Sequence, residues 1–179
     1  MATIYTTYYT SPLGRMLMAS DGEALVGLWF CGQRHFAATL PAERVAKDDL
    51  PVFGLTRRWL DEYFSGAVPQ FLPPLAPQGS TFRQRVWRQL LQIPHGATTT
   101  YGTIATRLAA EQAKAVSSQA VGTQEKAVSA QAVGGAVGHN PISIIIPCHR
   151  VIAADGSLTG YAPGLNRKKS LLSHESKNR

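Results

Sequence analysis

The chain has 179 residues, of which 44% are hydrophobic, 16% are charged and two are cysteines. This composition excludes a disordered, fibrous or disulfide-stapled protein, and the length suits one domain or two small ones. Eighteen Lys and Arg residues against 11 Asp and Glu give a net charge of +7. This excess favours a polyanionic partner, with nucleic acid before a membrane surface.

Cysteine use and the absence of targeting signals indicate the compartment. Cys31 and Cys148 are too far apart in sequence for a Cys-x-x-Cys metal or redox motif, and a single disulfide is the alternative to two free thiols. The N-terminal residues show no basic stretch followed by an apolar core, and no run approaches the roughly 18 apolar residues of a membrane span. We therefore expect a reducing compartment, either the cytoplasm or the nucleoid.

The first part of the chain predicts a small sheet followed by a helix. Short β-rich runs within residues 4–30 are separated by Ser-Pro-Leu-Gly and Asp-Gly turn signals, which is typical of a hairpin or meander. Apolar residues at helical spacing then predict an amphipathic helix over 50–64 that ends at Ser65-Gly66. Its apolar positions are Val52, Leu55, Trp59, Leu60 and Tyr63.

Proline content predicts the domain boundary. Residues 68–79 hold four prolines in twelve positions, so neither a helix nor a central strand can run through them. We therefore divide the chain into domains of residues 1–79 and 80–179. Twelve of the 18 basic residues, but only four of the 11 acidic ones, lie from Arg83 onward, so the positive charge belongs to the second domain.

The sequence of the second domain predicts three helices and contains a repeat. Ser80 caps the first helix, residues 98–110 form the second, and Asn166 caps the last. The inward residues are Phe82, Val86, Trp87, Leu90 and Leu91 in the first, Ile104 and Leu108 in the second, and Leu171 and Leu172 in the third. Residues 112–122 and 124–134 match at nine of eleven positions. Because a solenoid needs at least three copies, two copies indicate a local tandem duplication.

Cys148 is the strongest candidate for chemistry. An apolar, β-branched run over 141–152 is interrupted at Pro147, and we expect a buried strand that delivers Cys148 and His149 at its end. A thiol of ordinary pKa is only a few per cent ionised at neutral pH, so a nucleophilic cysteine needs a base or a positive field beside it. His149 and Arg150 adjoin Cys148, although a buried structural role is commoner for a lone intracellular cysteine.

His149 needs an orienting acceptor if it is to act as a base. Glu175 in the last helix and Asp155 in a loop are both candidates, and sequence spacing does not choose between them.

Two long segments carry a family resemblance: GHNPISIIIPCHRVI at 138–152 and GSLTGYAPGLNRKKSLLSHE at 156–175. Supporting matches lie at 81–96, 100–105 and 132–140, with a looser one at 10–20. Together they resemble the O6-alkylguanine-DNA alkyltransferases, a family of direct-reversal DNA repair proteins, over nearly all of residues 80–175.

The resemblance implies an N-terminal α/β domain with a small antiparallel sheet and a mainly α C-terminal domain with a helix-turn-helix. It implies an enzyme, a methylated-DNA–protein-cysteine S-methyltransferase, that flips O6-alkylguanine out of duplex DNA and moves the alkyl group to its own cysteine. Because the thioether product is a poor leaving group, the protein acts once, without a diffusible cofactor. The implied partner is double-stranded DNA, contacted through the minor groove by a cytoplasmic monomer.

Roles follow from position in the matched motifs. Cys148 is the nucleophile, His149 the base acting through a water, and Glu175 the residue that orients His149. Asn140 supports the active-site turn, and Tyr101 supplies a proton to the leaving guanine. The resemblance places substrate or DNA contacts at Ser129, Ala130, Gln131, Gly134, Arg150, Tyr161, Ala162 and Lys168.

The chain departs from the family pattern in the repeat. Gln131 stands where the family usually has an intercalating arginine, and it brings no charge for the phosphates. The duplication lengthens the interval from Tyr101 to Cys148, so we assign the second copy as the recognition helix. Residues 112–123 are then an insertion that loops out as one or two extra helical turns. In the competing register, Gln119 takes the place of Gln131.

The sequence also bears on metals and on rival functions. Some relatives hold a structural zinc, but here only Cys31 and His35 could ligate one, so we predict no metal. A non-catalytic binder of alkylated DNA is one rival, and the relatives that only bind lack the acceptor cysteine. A cysteine hydrolase is the other, and no separate oxyanion motif is recognisable.

Gln131→Arg should restore a charged contact with DNA. Because each neutralised phosphate adds to the salt dependence of binding, we expect tighter binding and a steeper slope of log affinity against log salt for the variant. Titrating both proteins with a duplex at several salt concentrations measures this, and an unchanged slope and affinity would refute it.

Overall fold

The computed structural model describes residues 2–118 and 127–178, and its N-terminal half is a four-stranded sheet. The strands are β1 (Tyr5–Ser11), β2 (Gly14–Ser20), β3 (Leu25–Phe30) and β4 (Val45–Ala46). The first three form the expected antiparallel meander, and β4 joins β1 in parallel, giving the order β3-β2-β1-β4. Gly14 has a φ of 125°, which an L side chain rarely adopts and which closes the turn between β1 and β2.

Helix α1 (Pro51–Phe64) covers the sheet and ends at Ser65, as the sequence predicts. Its buried residues include Trp59, Leu60 and Tyr63. The expectation for Leu55 was wrong: its side chain is 38% exposed, whereas Phe53 and Thr56 are buried. The Oγ of Thr56 donates a hydrogen bond of 2.7 Å to the carbonyl of Val52, which satisfies the buried hydroxyl.

The outer edge of β3 is covered by two segments from later in the chain. Leu25 exchanges backbone hydrogen bonds of 2.8 Å with the proline-rich segment, through Pro74 and Ala76. Leu28 does the same with the segment that precedes Cys148, donating to Pro141 and accepting from Ser143 at 2.8 Å. An otherwise unpaired sheet edge is thereby capped, and the N-terminal sheet becomes a support for the C-terminal site.

The C-terminal half is mainly helical, so the two-part fold class is confirmed. Its elements are α2 (Thr81–Leu91), β5 (Thr99–Thr100), α3 (Tyr101–Ser117), α4 (Ala130–Gly138), a 3-10 helix (Cys148–Arg150), β6 (Val151–Ile152) and α5 (Leu165–Lys177). Ser80, Thr100 and Ser129 cap α2, α3 and α4 through their side-chain oxygens. None of the helices among the described residues has the length and apolar character needed to cross a bilayer.

Two details of the predicted helices were wrong. Leu91 is 37% exposed, because α2 buries only Val86, Trp87, Gln89 and Leu90. Asn166 does not cap the last helix, since α5 begins at Leu165 with Gly164 at the N-cap. Gly164 has a φ of 100°, and this sharp entry leaves Asn166 inside the first turn.

The predicted strand before Cys148 was also wrong. Residues 141–147 are buried as expected, but they form consecutive turns with a single bridge from Ile142 to Leu28. Ile144 adopts a φ of 69°, which no extended strand contains. Cys148 therefore opens a short 3-10 helix instead of ending a strand.

The two repeat copies have different structures where both are described. The Ala-Val-Ser sequence at 115–117 is the last turn of α3, so that helix spans Tyr101–Ser117 and not the predicted 98–110. The same tripeptide at 127–129 is not helical, and Ser129 caps α4 instead. Residues 119–126 lie outside the described residues, and so does Gln119 with the competing register.

Deleting residues 112–123 should leave alkyl transfer to Cys148 roughly intact. The described residues of this segment are exposed apart from half-buried Gln112, and the deletion keeps the Ser129 cap of α4. Intact mass after reaction with alkylated DNA measures transfer, and circular dichroism controls for folding. Complete loss of transfer in a folded variant would contradict an insertion that loops out.

Candidate active site

Asn140 builds the turn that presents Cys148. It follows the C-terminus of α4, and its amide nitrogen lies 3.2 Å and 2.8 Å from the carbonyls of Ile142 and Ile146. The backbone nitrogen of Ile142 donates to its Oδ1 at 3.0 Å. The same amide lies 3.1 Å from the Sγ of Cys148. One buried side chain therefore folds the turn and donates toward the thiol.

The Cys148 thiol is 5% exposed and protonated in the resting protein. Burial raises its pKa, while the hydrogen bond from Asn140 and the charge of Lys168 oppose this rise without cancelling it. Cys31 is also a free thiol and is half-buried. Cys148 therefore needs a base to become nucleophilic, but two groups already stabilise its anion.

Lys168 is fully buried in α5 and is held by three carbonyls. Its Nζ donates to Val151 at 2.6 Å, to Thr159 at 3.1 Å and to Gly160 at 3.3 Å. Burial lowers its pKa, and the charge of Cys148 opposes that change. Lys168 thus fixes the loop at 159–160 and adds a positive charge near the thiol.

The carboxylate of Glu175 is the second organising group. Its Oε1 accepts hydrogen bonds from the Tyr63 hydroxyl at 2.9 Å, from His149 Nε2 at 2.6 Å and from Arg150 Nη2 at 3.0 Å. Its Oε2 accepts from Arg150 Nε at 2.9 Å and from the Gly96 backbone at 3.2 Å. Burial alone would raise the pKa of Glu175, but the hydrogen bonds from His149 and Arg150 and the charge of Arg150 hold it well below its ordinary value.

Glu175 fixes the tautomer of His149. Because the carboxylate is ionised, the Nε2–H of His149 donates to it and Nδ1 carries the lone pair. Burial lowers the pKa of His149 more strongly than Glu175 raises it, so the ring is neutral. Nδ1 is buried and has no hydrogen-bond partner in the part of the chain that the structure describes. His149 is therefore prepared to accept a proton at Nδ1.

The structure decides between Glu175 and Asp155, the two candidate acceptors for His149. Asp155 is exposed, and its Oδ1 accepts from the backbone and hydroxyl of Ser157 at 2.9 Å and 2.7 Å. Glu175, not Asp155, meets His149.

A cavity of about 320 Å³ is walled in part by Tyr101 and Tyr161, which are close enough to Cys148 for its charge to affect them. It is lined by Arg34, His35, Tyr101, Gly134, Gly135, Gly138, His139, Gly160, Tyr161 and Ala162. The Tyr101 hydroxyl donates to the Thr159 carbonyl at 3.0 Å, and the buried Tyr161 hydroxyl has no partner among the described residues. Burial raises the pKa of both phenols, and the negative charge of the Cys148 thiolate, once it forms, raises both further. Both tyrosines therefore remain proton donors.

The other candidate residues do not line this cavity. Arg150 faces away, with its guanidinium on Glu175 and on the Ile93 carbonyl at 2.7 Å. Ser129, Ala130 and Gln131 are exposed at the start of α4. Their roles in binding stay predictions, but the position of Arg150 suits support of Glu175 better than contact with a substrate.

The structure adds residues that the sequence did not indicate. In the sequence, Tyr63 is an apolar position of a helix. Its hydrogen bond to Glu175, 112 positions later in the chain, shows that it also supports the active site. His35 stacks on His139 with ring centroids 4.0 Å apart, instead of joining Cys31 in a zinc site. Within residues 2–118 and 127–178, no three His, Cys, Asp or Glu side chains are grouped to hold a metal ion.

Comparisons with known proteins match the whole chain. Residues 4–77 match the family model of the 6-O-methylguanine DNA methyltransferase ribonuclease-like domain, and residues 81–177 match that of its DNA binding domain. The methylated-DNA–protein-cysteine methyltransferase of Haemophilus influenzae is 42% identical, over 98% of this chain and 88% of its own length. The enzyme of the same name from Methanosarcina acetivorans is 39% identical, over 96% of this chain and 98% of its own length.

Solved structures give the same result. The Mycobacterium tuberculosis O6-methylguanine methyltransferase superposes with a TM-score of 0.80 at 35% identity, over 99% of this chain and 95% of that one. The structure of Mycobacterium tuberculosis OGT in complex with DNA superposes with a TM-score of 0.78 at 37% identity, over 98% of this chain and 94% of that one.

Glu175→Gln should lower the free energy of unfolding by about 3 to 5 kcal/mol, because it leaves Arg150 buried without its counter-charge. The pKa of Glu175 is lower in the folded than in the unfolded state. Its contribution to stability is thus complete above the unfolded value of about 4.3 and is lost as pH falls toward the folded value. Urea denaturation at several pH values should show this acid-dependent loss in the wild type and not in the variant.

Glu62→Gln is the matched control. Glu62 forms an exposed ion pair with Arg58 at 3.0 Å, and such pairs contribute about 1 kcal/mol or less. Equal destabilisation by the two substitutions would show that the Glu175 cluster has no special role in stability.

Proposed function

This chain belongs to the 6-O-methylguanine DNA methyltransferase family, and we propose that it repairs O6-alkylguanine in duplex DNA by transferring the alkyl group to Cys148. The observation that carries the proposal is a buried thiol at Cys148 followed in the chain by a buried, neutral His149 whose Nδ1 has no partner among the described residues. A buried base and an anion-stabilised cysteine are what alkyl transfer to sulfur requires.

The reaction begins with removal of the thiol proton. His149 takes this proton at Nδ1 through a water, and Glu175 stabilises the imidazolium that forms. The thiolate attacks the sp³ carbon attached to O6, so the C–S bond forms as the C–O bond breaks. The electron pair of the C–O bond stays on guanine, which receives a proton from the Tyr101 hydroxyl. The Tyr101 phenolate then regains a proton from the His149 imidazolium through solvent, so that in sum the alkyl carbon passes to sulfur and one proton passes from the thiol to guanine.

Electrostatic preorganisation assists the attack. The Asn140 amide at 3.1 Å and the buried Lys168 ammonium favour the thiolate over the thiol in a site where water does not screen them. Both are fixed by other hydrogen bonds, so they need no reorganisation when the charge develops. The thioether that results is a poor leaving group, and each molecule reacts once.

The target base has to leave the duplex before it can react. Cys148 is 5% exposed, beside a cavity whose size suits a single base. Flipping costs a few kcal/mol and least for a poorly paired base, which favours damaged guanine. We place the start of α4 in the minor groove, where Ser129 and Ala130 allow close approach and Gln131 fills the space of the flipped base.

The remaining assignments follow from this reaction. One chain holds every residue that the mechanism uses, so a monomer suffices. Genomic DNA is the substrate, which places the protein in the cytoplasm or nucleoid. No diffusible cofactor enters the steps above.

Incubation with a duplex that contains one O6-methylguanine should add one methyl group to each protein molecule, as measured by intact mass. Cys148→Ala should show no adduct, whereas Cys31→Ala, which removes the other free thiol, should react like the wild type.

Two other outcomes favour the rival functions. Tight lesion binding without an adduct would indicate a non-catalytic binder. Repeated turnover without an adduct would indicate a cysteine hydrolase.

A further inference from the structure

The cavity has a basic side that the alkyl-transfer mechanism does not use. Arg34 and His35 follow β3 in the N-terminal half, and His139 ends α4. Arg83 on α2 is close enough for its charge to influence His35. We call Arg34, His35, Arg83 and His139 the basic rim.

The rim is held in place by the walls of the active site. The backbone nitrogen of Arg34 donates to the Ala162 carbonyl at 3.1 Å, which ties the rim to the cavity wall. His139 Nδ1 lies 2.7 Å from the Gly135 carbonyl and donates to it, so its Nε2 is the nitrogen left for a ligand. The two rings stack at 4.0 Å with an angle of 26° between their planes.

His35 adopts a conformation that side chains usually avoid. Its φ is 58°, in the left-handed region that only a few per cent of residues other than glycine adopt. This backbone conformation places the imidazole over His139 at the mouth of the cavity. A strained residue beside a functional site is a reason to look for a ligand there.

The charges of the rim favour an anion over a metal ion. None of its four side chains forms an ion pair with a carboxylate within the described residues. Burial, and then the charges of His139, Arg34 and Arg83, lower the pKa of His35. The other titratable groups of the cavity, Tyr101 and Tyr161, stay neutral. A divalent cation would meet two arginines, whereas an anion would relieve their repulsion.

We propose that the basic rim binds a backbone phosphate of the DNA strand that carries the flipped nucleotide. The inference rests on the proposed function, because a base that enters the cavity leaves its own phosphates at the mouth. The rim supplies the positive charge that is missing at Gln131. Phosphate binding also stabilises the protonated form of His35, so DNA binding takes up a proton and tightens as pH falls.

The decisive measurement is the salt dependence of binding to an unmodified duplex, which the protein does not consume. Arg34→Ala should lower the slope of log affinity against log salt by about one, the effect of one lost phosphate contact. Arg44→Ala is the matched control: it removes the same charge from the same half of the chain, but beside β4 at the opposite edge of the sheet. It should leave the slope unchanged.

His35→Asn tests the proton uptake without forcing a new backbone conformation, because asparagine also tolerates a positive φ. Wild-type affinity should rise between about pH 7.5 and pH 5.5, the range in which histidine titrates, and the variant should lose part of that rise. An equal rise in both proteins would overturn the role of His35.

The outcomes separate this proposal from the proposed function. Equal slopes for Arg34→Ala and Arg44→Ala would overturn the phosphate site, whatever the mass assay shows. Weaker binding by Arg34→Ala with an unchanged slope would also overturn it, since it indicates contact with a base. A lowered slope in a protein that gains no methyl group would support the rim and refute alkyl transfer. If both the phosphate site and alkyl transfer are correct, Arg34→Ala should slow the reaction with alkylated duplex DNA more than it slows the reaction with O6-alkylguanine as a free base.

Discussion

The buried carboxylate of Glu175 joins the two halves of this protein and organises the candidate active site. It accepts hydrogen bonds from Tyr63 in α1, from the backbone of Gly96, and from His149 and Arg150. A buried charge costs several kcal/mol unless its lone pairs are satisfied, so these elements have to stay together. The same constraint leaves His149 neutral with Nδ1 available, and the chemistry therefore depends on a contact that the fold requires.

Asn140 links fold and chemistry in a similar way. The segment before Cys148 is not a regular strand, and its turns depend on the Asn140 amide and on pairing with the edge of β3. Because β3 belongs to the N-terminal sheet, that sheet also positions the thiol. The wall of the cavity shows the same dependence, since Arg34 is bonded to Ala162. The N-terminal half thus shapes the site although Cys148 and its base lie in the other half.

The repeat shows how far local sequence determines structure. One Ala-Val-Ser tripeptide ends α3 and its copy precedes α4, although their helix propensities are identical. Serine caps a helix only where its own backbone is extended, as at Ser129, and packing decides that conformation. Val128 of the second copy packs against the hydrophobic core, whereas Val116, at the equivalent position of the first copy, is 38% exposed. Burial of apolar side chains, not propensity, distinguishes the copies.

The sequence by itself determined the helix faces, most of their ends, the small sheet and the cysteine with its histidine, because periodicity and capping act over a few residues. Tertiary structure alone decided that Glu175 and not Asp155 meets His149, that Arg150 turns away from the cavity, and that His35 stacks on His139. Each of these depends on residues brought together across long stretches of chain, where sequence periodicity carries no information. The charges and hydrogen bonds that set the pKa values of the site arise only from those contacts.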